Sequence, residues 1–189
     1  MPPLVIIDRD GTLNVEKHYL SAPDQVELLP GAAEAVKLLR AAGLPIVVVT
    51  NQSGVGRGFF DEQRLAEIHE RLVSLLAAEG ARVDAIYFCP HTPDDDCDCR
   101  KPSAGMARRA AEEFNADLAE SFVVGDNDCD VLLGKNIGAT TVLVRTGHGL
   151  KTEQNANVKP DYTVENLYEA AQLIKKVARL KSVDYSSDE

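Results

Sequence analysis

Short, mostly apolar runs alternate along this chain with longer stretches in which apolar residues recur every three or four positions. Leu4 to Ile7 and Leu44 to Val49 are the runs expected of buried strands, and Val83 to Phe88, Phe122 to Gly125 and Thr140 to Val144 read as a third, fourth and fifth strand. Between the first two, Ala32, Ala35, Val36, Leu38, Leu39 and Ala42 keep helical spacing from Pro30-Gly31 to a stop at Gly43. Leu65, Ile68, Leu72, Leu75 and Leu76 form the inward stripe of a long helix capped by Asp61 and closed by Gly80. Pro102 suits the start of a helix running to about Asn115, and a short helix follows Asp126 as far as Ile137. The loop after the fifth run is long, and a last amphipathic helix covers about Val164 to Leu180. This alternation predicts a Rossmann-like α/β fold, a parallel sheet with helices on both faces. One domain is expected over residues 1–181 with a polar tail at 182–189, and no connection is long enough for a large cap domain.

In such sheets ligands sit beyond the carboxyl ends of the strands. Four strand ends here carry polar chemistry: Asp8 and Asp10, then Thr50-Asn51, then a Cys/His loop leading to Arg100-Lys101, then Asp126. Side chains at i and i+2 of an extended backbone point the same way, so Asp8 and Asp10 should face one crevice. Two like charges held that close need a metal ion or a raised pKa on one of them. The plain alternative is a solvated Asp-Gly turn, with each other strand end a separate cap or turn. One shared site explains all four together. Two acids, a hydroxyl, a lysine and a third acid suit phosphoryl transfer: Asp8 and Asp126 with a backbone carbonyl for Mg²⁺, one carboxylate as nucleophile, another as acid and base. Thr50 and Lys101 would then meet the phosphoryl oxygens.

Composition narrows the partner. With 44% hydrophobic and 26% charged residues and a net charge of −10, the 189-residue chain reads as a globular protein with no nucleic-acid or anionic-membrane partner. Met1-Pro2-Pro3 runs straight into the first strand, so no signal peptide is expected, and no apolar run approaches the ~20 residues that span a bilayer. A cytoplasmic monomer acting on a small soluble phosphate is the expectation.

Cys89, His91, Cys97 and Cys99 place four soft ligands on one loop, matching a closed tetrahedral Zn²⁺ site, with a set of reduced cysteines as the alternative. All four positions taken by protein would make the ion structural, tying down the loop that delivers Arg100 and Lys101. Cys129 reads as a small core residue, His69 as helix surface, His148 as solvated, Asp94 to Asp96 as a loop tip, and Asp130, four residues after Asp126, as a supporting group that bonds to backbone or to Mg²⁺-bound water. His18 and Tyr19 follow the first motif closely enough to line a pocket.

Asp8-Arg9-Asp10-Gly11-Thr12, Thr50-Asn51-Gln52-Ser53-Gly54, Arg100-Lys101-Pro102 and Gly125-Asp126 resemble the four motifs of the haloacid dehalogenase (HAD) superfamily of phosphatases. Ile7 to Asn14, Val48 to Gly58 and Cys97 to Pro102 are similar to the D-glycero-D-manno-heptose-1,7-bisphosphate 7-phosphatases, with histidinol-phosphate phosphatases as near relatives. The resemblance runs from about residue 4 to about 175. It implies Asp8 as nucleophile, Asp10 as acid and base, Mg²⁺ on Asp8, the Asp10 carbonyl and Asp126, structural Zn²⁺, and Thr50 and Lys101 on the phosphoryl group. It further implies substrate contacts from Asn51, Gln52, Ser53, Arg57, Arg100 and Asn127, beside His18 and Tyr19, and a place in carbohydrate metabolism leading to lipopolysaccharide. The short stretch between His91 and Cys97 is as in the histidinol-phosphate enzymes, and Asn127 stands where close relatives often have lysine or serine. Arg57 and Arg100 favour a sugar bisphosphate over the cationic histidinol. A receiver-type signalling module and a zinc-stabilised binding protein without catalysis are the readings from other classes; turnover of a phosphate monoester separates them.

Overall fold

The computed structural model describes residues 1–184, with side chains to residue 178. Of the tail expected at 182–189, residues 185–189 lie outside the described residues. The elements are β1 (Val5–Ile7), α1 (Ala32–Ala41), β2 (Ile46–Asn51), α2 (Ser53–Gly56), α3 (Glu62–Ala78), β3 (Ala85–Cys89) and α4 (Gly105–Phe114). They continue as β4 (Phe122–Gly125), α5 (Asp128–Ile137), β5 (Thr140–Val144), α6 (Gly149–Glu153), β6 (Tyr162–Val164) and α7 (Leu167–Asp184). The strands form one parallel sheet in the order β3-β2-β1-β4-β5-β6, with β1 central.

Because successive side chains on a strand point to opposite faces, each apolar run feeds two cores. Val5, Ile7, Ile46, Val48 and Phe122 pack on one face under α1, α3 and α7; Leu4, Ile6, Val47, Val49 and Val123 pack on the other under α4 and α5. Runs that had to be apolar throughout are therefore explained by a sheet covered on both sides. Asp61 caps α3 as expected, its side chain accepting from the Arg64 N–H.

Three local differences from the sequence expectation have clear causes. The helix expected from Pro102 starts at Gly105, because the chain turns first, the Ser103 N–H donating to the Arg100 carbonyl (2.8 Å) and the Gly105 N–H to the Asp98 carbonyl (3.0 Å). The long loop after β5 contains α6 and a sixth strand, β6, whose three residues at the sheet edge are too few and too exposed to show a pattern. His69, expected on the helix surface, is half-buried: its ring lies 5.9 Å from that of Phe88, and its Nε2 is buried without a hydrogen-bond partner among the described residues. Among the described residues no helix is long and apolar enough to cross a membrane.

Candidate active site

β1 stops at Ile7, but the Asp8 N–H still donates to the Val124 carbonyl (2.9 Å), so the chain keeps to β4 for one more residue. It then turns tightly, the Leu13 and Asn14 N–H groups both donating to the Arg9 carbonyl (2.9 and 3.1 Å). This turn, rather than strand alternation, brings Asp8 and Asp10 to one cavity of 430 Å³ at the carboxyl ends of the strands. Thr50, Lys101 and Asp126 line the same cavity, so all four polar strand ends converge.

Lys101 sits at the centre, almost wholly buried. Its Nζ donates to Asp8 Oδ1 (2.5 Å), Asp130 Oδ1 (2.7 Å) and the Val49 carbonyl (2.7 Å). Burial works against the ammonium, but Asp130 and Asp8 outweigh it and hold its pKa above the ordinary lysine value. Asn51 fixes the lysine's backbone from both sides, accepting from the Lys101 N–H (2.9 Å) and donating to its carbonyl (3.1 Å). Asn51 lines the cavity while committing its amide to the Lys101 backbone. Asp130 accepts from the backbone as expected, from the Asn127 N–H (3.0 Å), and is also a buried partner of Lys101, which the sequence did not indicate.

Asp126 is 1% exposed and held by backbone. The His148 N–H donates to its Oδ2 (2.6 Å), while Thr146 Oγ1 donates to the Gly11 carbonyl (2.6 Å), joining the loop after β5 to the turn after β1. Gly11 and Gly147, both at positive φ, leave the room: a Cβ on either would stand 2.3 or 2.1 Å from Asp126 Oδ2. Gly125 does the same for Asp130, whose Cγ would lie 2.3 Å from an added Cβ. Gly125→Ala should therefore displace the Asp130 carboxylate from Lys101 and cost about 1–3 kcal/mol, measurable as a lowered midpoint in thermal unfolding.

Asp8, Asp126 and Asp130 offer oxygens within 4.8 Å of one another. Burial, with Asp130 adding to it against Lys101, pushes Asp8 up to about 7; burial, with Asp8 and Asp130, pushes Asp126 up to about 8. Three carboxylates around one lysine leave two negative charges uncompensated, and hard oxygen donors of that charge suit a divalent cation such as Mg²⁺. Asp10 lies in the opposite environment. It is buried, yet Arg9, Asn14 and Gln52 hold its carboxyl below the usual range.

Among the remaining predicted residues, His18, Tyr19, Gln52, Ser53, Arg100 and Asn127 line the cavity. Gln52 donates to both Asp10 Oδ2 (2.8 Å) and Thr50 Oγ1 (2.9 Å), linking two of the strand ends. Tyr19 stacks edge-on against Phe59 (4.8 Å) and His18 (4.6 Å). Arg57 is exposed and stands away from the cavity wall. Cys129, expected in the core, lines the cavity instead, with its thiol pushed up by burial and by Asp130. The side chain of His148 is exposed as expected; it is its backbone that serves the site. Arg9, 1% exposed, and Glu16, on the cavity wall, were not singled out by the sequence. A charged residue between the two motif aspartates was the available signal for Arg9.

At the end of β3, Cys89, His91, Cys97 and Cys99 bring four donor atoms within 4.8 Å of one another. His91 Nδ1 lies 3.5 Å from Cys89 Sγ and 3.2 Å from Cys99 Sγ, and all three cysteines are free thiols. This donor set fits zinc, and the cluster immediately precedes Arg100, whose Nη1 donates to the His91 carbonyl (3.1 Å).

Residues 5–69 match a haloacid dehalogenase-like hydrolase family model, and residues 98–170 a HAD-hydrolase-like one. The chain is 39% identical over 182 residues to a D-glycero-β-D-manno-heptose-1,7-bisphosphate 7-phosphatase of Pasteurella multocida, covering 93% of this chain and 98% of that one. It is 40% identical over 182 residues to the Yersinia pestis protein of the same name, covering 92% and 95%. A crystal structure of D,D-heptose 1,7-bisphosphate phosphatase from B. bronchiseptica, complexed with magnesium and phosphate, superposes with a TM-score of 0.87 at 39% identity, covering 92% and 98%. These likenesses cover nearly the full length, and with them this chain belongs to the haloacid dehalogenase-like hydrolases, as a phosphatase.

Proposed function

We propose that the protein is a Mg²⁺-dependent phosphatase that removes the 7-phosphate of D-glycero-D-manno-heptose 1,7-bisphosphate through an aspartyl-phosphate on Asp8. The observation that carries the mechanism is one cavity holding two aspartates in opposite environments, a buried lysine, and a cluster two charges short of neutral. Asp8, Asp126 and the Asp10 carbonyl would hold Mg²⁺, which supplies charge neutralisation for the phosphoryl oxygens and returns Asp8 and Asp126 to carboxylates. Asp8 attacks phosphorus as the ester P–O bond breaks. Asp10 gives its proton to the departing alkoxide; the dianionic phosphoryl group beside it raises its affinity for that proton. Asp10 then takes a proton from water, whose oxygen attacks phosphorus and frees Asp8. Lys101 and Thr50 donate to the equatorial oxygens.

Structural Zn²⁺ on Cys89, His91, Cys97 and Cys99 would hold Arg100 at the cavity wall, where its cation suits the second phosphate of a bisphosphate. The likeness to enzymes named for the heptose bisphosphate supports this substrate. A second reading, histidinol phosphate, draws on Glu16, an acidic side chain lining the same cavity and able to pair with an ammonium. Specificity constants decide between them. The heptose bisphosphate should be preferred by roughly tenfold or more, with the 1-phosphate left intact. A preference for histidinol phosphate would overturn the substrate and leave the chemistry standing.

A further inference from the structure

Arg9 is among the largest fully buried side chains of the protein, in a position between two catalytic carboxylates where an apolar residue would pack at less cost. Its Nε (3.0 Å) and Nη2 (2.8 Å) both reach Asp10 Oδ2, a two-pronged pairing on a single oxygen. Gln52 Nε2 donates to the same Oδ2 (2.8 Å). Among the described residues Oδ1 accepts from Asn14 Nδ2 alone (2.9 Å). An oxygen with three donors has no lone pair left for a proton, whereas one with a single donor does. The third nitrogen, Nη1, is buried and has no partner. The fold therefore bears an unsatisfied guanidinium N–H in order to keep this contact.

The surroundings agree. His69, on α3, is pushed down to about 3 by burial and then by the charge of Arg9, so its ring is neutral near pH 7 and does not compete, as a second cation would, with Arg9 for the Asp10 carboxylate. Asp10 is the only carboxylate paired with Arg9 among the described residues.

We infer that Arg9 is a positioning residue for Asp10: its guanidinium occupies Oδ2 and reserves Oδ1 for the proton that passes to the leaving alkoxide. The inference rests on the aspartyl-phosphate reading above. As the Asp8–phosphorus bond forms and the ester P–O bond breaks, the proton on Oδ1 moves to the leaving oxygen and Asp10 is left as a carboxylate held by Arg9, Gln52 and Asn14.

The test compares leaving groups. An alkoxide needs the proton, whereas p-nitrophenolate departs without one, and kcat/KM reports only the steps up to departure. In Arg9→Met, kcat/KM for an alkyl sugar phosphate should fall by about 30-fold or more, with KM little changed. For p-nitrophenyl phosphate it should fall by no more than about threefold. Arg9→Lys keeps the charge and loses the fork, so it should show the same split at smaller size; if Arg9→Met gives no soluble protein, this variant carries the comparison alone. Equal losses on both substrates, or none on either, overturn the inference. Failure of the underlying mechanism shows separately, as turnover that survives in Asp8→Asn with Arg9 untouched.

Discussion

Asp8→Asn should give a folded protein with turnover lowered by at least about 10³-fold and, without added metal at pH 8, a higher unfolding midpoint than the parent. The amide keeps the shape of the carboxylate but cannot take up the phosphoryl group. Its carbonyl oxygen still accepts from Lys101, which also retains Asp130 and the Val49 carbonyl. The stability sign follows from the pKa. Burial raises Asp8 to about 7 in the fold, above its ordinary 3.8, so its ionisation opposes folding increasingly as pH rises from 4 through 7. Removing that ionisable group removes the penalty, which is absent in acid and full above pH 7. Asp10→Asn should differ: alkyl phosphate turnover should drop by about 10²–10⁴-fold, and stability should fall, because the charge that offsets buried Arg9 is gone. Steady-state rates with a sugar phosphate and thermal melts at pH 5 and pH 8 check both. An Asp8→Asn protein that turns over, or that melts below the parent at pH 8, contradicts the account.

Stripping zinc should raise KM more than it lowers kcat. Elemental analysis of protein purified without chelator should find one zinc per chain, and Cys97→Ser should lose it. Cys89 ends β3 and the other three donors lie on the irregular loop after it, and coordinating a structural zinc contributes on the order of 10 kcal/mol in small domains. Arg100 leans on that loop through the His91 carbonyl, so it should be the first to drift. Lys101, one residue on, is anchored apart from it by Asn51, Asp8 and Asp130. KM for a bisphosphate should therefore rise about tenfold, with kcat down by no more than a few fold. Limited proteolysis should cut the chelated protein at the exposed Asp94 to Asp96 tip. A collapse of kcat with KM unchanged would mean that the zinc loop supports Lys101 after all.

The five short strand runs and three amphipathic helices were legible because each buries a face large enough to leave a pattern. β6 was not, since Tyr162 to Val164 form a short edge strand with one exposed and two half-buried residues. The strand-end residues of the site could be read because aspartate or threonine after an apolar run needs an explanation. What the sequence could not give was which charge meets which. Lys101 and Asp130 are 29 residues apart, and only the packing of α5 against the sheet brings them to 2.7 Å. Arg9 and Asp10 are neighbours, but whether an arginine turns inward is decided by what surrounds it. His69 and Cys129 were misplaced for the same reason: helical spacing assigns a face, not what lies against that face.

The knot of contacts around Asp126 bears on how this scaffold can acquire new specificities. Gly11, Gly147, Thr146 and His148 lock the loops after β1 and β5 onto one carboxylate, with no space for a single added carbon. Lengthening the chain near residue 147 would unseat the cation ligand before it reshaped anything else. The stretches at residues 16–27 and 92–96 bond largely within themselves, and parts of them border the cavity or the cluster that steadies it. Insertions there change what the pocket can hold without moving the groups that react. Variation among related phosphatases should collect in those two segments, and library design should begin with them.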